Sequence, residues 1–175
     1  AEGKQKEPYK DIEGNYTQPD ALTGEQRIAA DAIKSAIDEG RQENFLIHGV
    51  TASGKTQVYM EVISECLDRG RTAIVLVPEI SLTGQLIERF VGRFGKEAIA
   101  VMHSRLTQRE RYDEWQRIRS GKAKIVIGAR MGVFAPLANI GAIIMDEEHE
   151  ASYKSDMTPK YDTVEIALKR TAAWG

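Results

Sequence analysis

Residues 49–56 read Gly-Val-Thr-Ala-Ser-Gly-Lys-Thr. The apolar run Asn44-Phe45-Leu46-Ile47-His48 precedes them, and a helical stripe of Val58, Tyr59, Val62, Ile63, Cys66 and Leu67 follows. Strand, glycine-bearing loop and helix in that order leave few folds open. A helix that carries the chain back across a sheet makes the neighbouring strands parallel and the crossover right-handed. The loop itself fits G-x-x-x-x-G-K-[ST], whose inward-pointing backbone amides cradle polyphosphate at a helix N-terminus. In that pattern Gly49, Val50, Thr51, Ala52, Ser53 and Gly54 form the cradle. Lys55 reaches the β- and γ-phosphates, and the Thr56 hydroxyl ligates Mg²⁺. Ala52 stands where glycine is frequent, and its Cβ restricts any positive φ there.

The rest of the chain repeats the strand–helix alternation. Thr23-Gly24-Glu25-Gln26 opens a helix with Ile28, Ala29, Ala32, Ile33, Ala36 and Ile37 on its apolar positions. Thr72–Val77 is a continuous apolar run closed by Pro78, the pattern of a strand buried on both faces. A helix bearing Leu86, Ile87, Phe90, Val91 and Phe94 follows, then a short strand over 98–102. Thr107-x-x-Glu110 is a capping box for a helix with Tyr112, Trp115 and Ile118. Strands are expected at 124–128 and 142–146, and a last helix from about Asp162. This predicts an α/β domain with a mostly parallel sheet and helices on both faces. Residues 1–20 carry Pro8 and Pro19 and no apolar period, and read as a linker or arm.

In such a sheet the strand C-termini share one edge, where ligands bind. The phosphate loop, Pro78-Glu79, His103-Ser104, Gly128-Ala129-Arg130 and Asp146-Glu147 all fall there. The run Ile143-Ile144-Met145-Asp146-Glu147-Glu148-His149 ends a strand with adjacent carboxylates. Asp146 is placed to hold the metal and Glu147 to polarise a water. His149 reads as a residue coupled to the γ-phosphate rather than a zinc ligand, because no other histidine lies at ligand spacing. Gln26 has two readings: its amide reads an adenine edge, or it returns to the Thr23 amide as the second half of a capping box. Arg130 pairs with the nearby carboxylates or faces a bound strand.

The formal net charge is −2, which excludes a globally basic nucleic-acid binder. Residues 103–130 nevertheless hold eight basic side chains, Arg105 and Arg109 among them, against three acidic ones. They form either a solvated helix face or a surface that tracks a nucleic-acid backbone. Residues 151–161 interleave Tyr153 and Tyr161 with Lys154 and Lys160, which suits stacking on single-stranded bases. Tyrosines packed on the sheet edge would leave the same pattern. The single cysteine, Cys66, sits on a helical apolar face and allows no disulfide or cysteine zinc site within this chain. No apolar stretch nears the roughly 20 residues that span a bilayer, so the expected setting is the cytoplasm with no membrane partner.

Six segments carry a family resemblance: GVTASGKT, VLVPEISLT, His103-Ser104, IVIGARMGVFAPL, IIMDEEHEASYK and TPKYDTVEIALKR. In this order they resemble the primosomal protein N′ (PriA-type) replication-restart helicases of bacteria, from about residue 22 onward. The phosphate loop is common to many nucleotide hydrolases, whereas VPEISLT and DEEHEASYK…PKY are far more specific. The resemblance implies a RecA-like P-loop lobe of a superfamily 2, 3′→5′ DNA helicase, with residues 21–175 its first RecA-like, ATP-binding domain. It implies ATP and Mg²⁺ as cofactors, with Lys55, Thr56, Asp146 and Glu147 in the ATP chemistry. Single-stranded or forked DNA and other replication-restart proteins are the implied partners. Residues 152–161 are similar to a loop that couples DNA binding to hydrolysis. The sequence stops before the strand that follows in that family. The expectation is therefore a truncated lobe, nearly inactive alone, whose second RecA-like lobe and zinc insert lie elsewhere in the full-length protein. A nucleotide-binding lobe kept as an interaction module, without hydrolysis, is the alternative reading.

Overall fold

The computed structural model of the chain describes residues 12–14, 21–49, 54–147, 154–155 and 161–173. Its centre is a four-stranded parallel sheet in the order β2-β3-β1-β4. The strands are β1 (Thr72–Leu76), β2 (Ile99–Met102), β3 (Ile125–Gly128) and β4 (Ile140–Met145). The apolar runs of β1, β2 and β3 lack polar alternation because both faces are covered, whereas β4, at one edge of the sheet, is half-buried throughout. Ala73, Val75 and Val77 point into one core with Met60, Ile63, Ile87 and Phe90. Ile74 and Leu76 point into the other with Ile118, Val126, Val133, Leu137 and Ala167. Helices α2 (Lys55–Asp68) and α3 (Gly84–Phe94) therefore cover one face, and α4 (Gln108–Arg119) and α5 (Thr163–Ala173) the other. Helix α1 (Gly24–Asp38) packs on α2 through Ala30, Ile37, Val58, Val62 and Cys66. Glu61 ties three helices together, accepting from Lys34 of α1 at 3.1 Å and Arg93 of α3 at 2.8 Å.

Both capping boxes form. Thr23 and Gln26 close the start of α1, and Thr107 and Glu110 that of α4, each pair exchanging side-chain and backbone bonds. Of the successive strands only β2 and β3 are neighbours; β1 and β2 are not, nor are β3 and β4. β1 and β2 flank β3, and β1 lies between β3 and β4. Gly141 is the extra residue where β4 shifts register against β1, and it faces α2. A Cβ on it would lie 2.8 Å from the Cys66 sulfur.

One expected strand is absent. Residues 41–49 carry no strand, although the run at 44–48 reads as one. Phe45 and Leu46 are 41% and 71% exposed, and only Ile47 reaches the core between α1 and α2. The physical reason is pairing. An extended segment gains a ladder only by hydrogen-bonding to another strand, and among the described residues none of the four sheet strands pairs with it. The apolar pattern is the same with or without that neighbour.

Two further features lie beyond the sequence reading. Within the segment expected as an arm, Ile12 packs against the first core, and Gly14 lies on α3 so closely that a Cβ would meet the Gly92 Cα at 2.6 Å. Lys154–Ser155 (β5) and Tyr161–Asp162 (β6) form a small antiparallel pair separate from the main sheet.

Candidate nucleotide site

Gly54 caps α2 in a left-handed conformation, φ 79°, which glycine adopts without a Cβ penalty. A Cβ there would sit 2.1 Å from the Gln26 amide nitrogen. No side chain caps this helix, the Gln57 amide donates to the Gly54 carbonyl at 3.0 Å, and a helix N-terminus of this kind suits an anion. The Lys55 ammonium donates to the Gly49 carbonyl at 3.1 Å, so it lies across the loop. Thr56 follows in the first turn, half-buried. Val50, Thr51, Ala52 and Ser53 lie outside the described residues. Gln26 serves the cap and the loop at once. Its Oε1 accepts the Thr23 amide at 3.0 Å, and its Nε2 donates to the Gly54 carbonyl at 3.5 Å.

Asp146 follows β4, the strand that packs against α2. Its amide donates to the Leu76 carbonyl at 2.9 Å, continuing the β1–β4 ladder by one residue. Its side-chain Oδ1 accepts the Tyr59 hydroxyl at 3.0 Å, which brings the first turns of α2 to the end of β4. Burial pushes the Tyr59 phenol well above its ordinary range, and the negative charges of Asp146 and Glu147 add to that. Glu147 is exposed and has φ 51°, left-handed backbone on a residue with a Cβ. Such strain collects at functional positions. Asn139 shares that conformation at φ 53°, but asparagine tolerates it, and its amide nitrogen donates to the Gly70 carbonyl at 3.0 Å. His149 lies outside the described residues.

The neighbouring strand ends are joined. Glu79, in a 3-10 turn over Glu79–Ser81 after β1, accepts from the Ser104 hydroxyl at 2.6 Å and its amide at 3.3 Å after β2. This contact spans the end of β3. His103 is buried, and its Nδ1 accepts the Arg105 amide at 3.1 Å. Burial, then the Arg105 charge, lowers its pKa below the ordinary imidazole range. Gly128 ends β3 with no room for a side chain, since a Cβ would meet the Met102 carbonyl oxygen at 2.5 Å. Arg130 opens the 3-10 turn Arg130–Phe134 at the same edge, half-buried.

Arg105 and Arg109 are exposed on the loop after β2 and on α4. Arg117 is not part of that surface. It binds Glu114 at 2.6 Å and donates to the carbonyls of Lys96, Glu97 and Ile99 at 3.3, 3.1 and 2.9 Å. Lys154 and Tyr161 fall in the β5–β6 pair, while Tyr153 and Lys160 lie outside the described residues.

The donor set suits a nucleotide with Mg²⁺. Thr56 and Asp146 offer hard oxygen ligands, and magnesium is commonly held by one or two protein oxygens plus substrate phosphates. Among the described residues no three His, Cys, Asp or Glu side chains lie together as a metal cage. A cation here would share its coordination with a bound polyphosphate. Among the described residues, too, no helix is long and apolar enough to cross a membrane.

Sequence reasoning placed Lys55, Thr56, Asp146 and Glu147 together, and it missed Tyr59, which it read only as part of the apolar stripe. The available signal was spacing. Tyr59 stands four residues after Lys55, so the two share a helix face. Arg170 was also missed. It donates to the Val133 and Ala135 carbonyls and so fastens α5 to the segment after β3.

Known proteins bear on the site at this point. Replication restart protein PriA of Bacillus subtilis (strain 168) is 50% identical over 94% of this chain and 20% of its own length. PriA of Treponema pallidum (strain Nichols) is 47% identical over 87% of the chain and 22% of its own. PriA of Haemophilus influenzae (strain ATCC 51907 / DSM 11121 / KW20 / Rd) is 48% identical over 71% of the chain and 17% of its own. The chain thus spans about a fifth of the length of these curated relatives, and the resemblance read from its motifs holds. The DEAD/DEAH box helicase family matches residues 26–173, from the Gln26 that touches the loop to the end of α5, and the chain belongs to that family.

Proposed function

We propose that this chain is the ATP-binding motor lobe of a superfamily 2, 3′→5′ DNA helicase acting in replication restart in the cytoplasm. ATP hydrolysis in the whole protein is coupled to translocation on single-stranded DNA. The observation that carries this reading is the convergence of Lys55 and Thr56, at the start of α2, with Asp146 and Glu147, at the end of β4, bridged by the 3.0 Å Tyr59–Asp146 bond. In the proposed mechanism the loop amides and Lys55 bind and orient the polyphosphate. Thr56 and Asp146 hold Mg²⁺, which supplies charge neutralisation on the phosphates when bound. Glu147 orients and polarises the attacking water. His149 couples the γ-phosphate to the DNA side, where Arg105, Arg109, Arg130 and the Tyr153–Tyr161 segment meet the strand. A second RecA-like lobe completes the site in the whole protein, and any zinc belongs to another part of it.

One observation favours the alternative of a nucleotide-binding interaction module for the chain by itself. The segment leading into the loop is not held in the sheet, so the loop lacks one of its supports. The test is single-strand-stimulated ATPase in the intact protein that carries this lobe. Lys55→Ala should remove nearly all nucleotide binding. Glu147→Gln should keep binding and lower turnover by about 10²–10⁴, the range for losing a general base. Equal nucleotide affinity for wild type and Lys55→Ala would sink the phosphate assignment. Turnover of Glu147→Gln within about tenfold of wild type would remove Glu147 from its role.

A further inference from the structure

Resting on that reading, we infer that Tyr59 is the positioning residue for the metal-side carboxylate. Its hydroxyl fixes Asp146 in the orientation that receives Mg²⁺ with the nucleotide.

Tyr59 and Asp146 are 87 positions apart and meet at 3.0 Å. Tyr59 is 8% exposed, and its hydroxyl reaches the residue that follows β4. A phenol ring has two side-chain torsions, and packing fixes both, which makes it a stiff strut. It rises from the helix that carries Lys55 and Thr56, on their side of α2. The phosphate-binding and metal-binding parts are therefore gauged against each other by one side chain. The Asp146 amide is held by the Leu76 carbonyl at 2.9 Å and its carboxylate by Tyr59.

The chemistry of the donor matters as well. A hydroxyl orients a carboxylate without bringing a positive charge that would compete with the cation. Partners of this kind, one step removed from the metal, change metal affinity or activity by about 10–100-fold when lost. Phenylalanine keeps the ring and removes only the hydrogen bond, so Tyr59→Phe isolates the proposal from packing.

The experiment is a Mg²⁺ titration of mant-ADP binding by the intact protein, read by fluorescence, with a parallel measurement in EDTA. Tyr59→Phe should raise the Mg²⁺ concentration for half-saturation by about tenfold and leave metal-free mant-ADP binding unchanged. In an Asp146→Asn background the same substitution should change the Mg²⁺ dependence less than twofold, because the carboxylate it positions is gone. A Tyr59→Phe protein that melts earlier yet keeps the wild-type Mg²⁺ dependence would overturn the inference and leave Tyr59 a packing residue. If wild type itself shows no Mg²⁺-dependent binding, the nucleotide-site reading fails, a result distinct from failure of the Tyr59 assignment.

Discussion

Glu147 should reverse the ordinary ranking of alanine and glycine. At most positions glycine is the less stable of the two by about 0.4–1 kcal/mol, because the unfolded chain gains freedom with it. At Glu147 the backbone is left-handed, φ 51°, where a Cβ costs roughly 1–2 kcal/mol. The difference leaves Glu147→Gly about 1 kcal/mol more stable than Glu147→Ala. For a chain of this size that is a gap of about 2–4 °C in melting temperature. Urea unfolding and thermal melts of the two variants measure it directly. Both lose the carboxylate, so its electrostatic contribution cancels from the comparison. Gln116, exposed on α4, serves as the control, and there alanine should win by about 1 kcal/mol. An alanine variant more stable than the glycine variant at 147 would refute the strain argument. It would mean that the carboxylate reaches its position from a relaxed backbone.

Two further outcomes follow from the strand ends and the charged surface. Gly128→Ala should cost about 1–3 kcal/mol of overpacking, because the atom it meets at 2.5 Å is the Met102 backbone oxygen. Gly24→Ala, with nothing within 4 Å of its Cβ, should be near neutral, and equal urea midpoints for the two would contradict this. Charge reversal at Arg105 and Arg109 should weaken single-stranded DNA binding by the intact protein and flatten its salt dependence by about one unit per lost phosphate contact. An unchanged salt slope would remove both residues from the DNA surface.

What the sequence made legible was local. The apolar runs of β1 to β4 and the stripes of α1 to α5 follow from periodicity, and both capping boxes follow from residues three apart. The strand expected at 44–48 was misread because an apolar run reports a residue's taste for burial and not the presence of a partner. Tyr59 was invisible for a related reason. Its apolar ring satisfied the helical stripe, and the hydroxyl's destination on β4 is set by strand order. Arg117 shows the same limit in the charge count. Its guanidinium is consumed by Glu114 and three carbonyls, so the basic excess over 103–130 overstates what a ligand meets.

The Glu79–Ser104 bridge has a mechanical consequence. It runs above the end of β3 from the loop after β2 to the turn that feeds α3. A pull on Ser104 would therefore be shared between β2, through the backbone, and Glu79, through the bridge. A polymer dragged across this rim would load two loops as a single lever. The link would part before the core yielded, because a hydrogen bond to a charged group contributes only about 1.5–3 kcal/mol and this one is exposed. The bridge would then serve as a fuse, sharing small loads between neighbouring loops and releasing them under large ones.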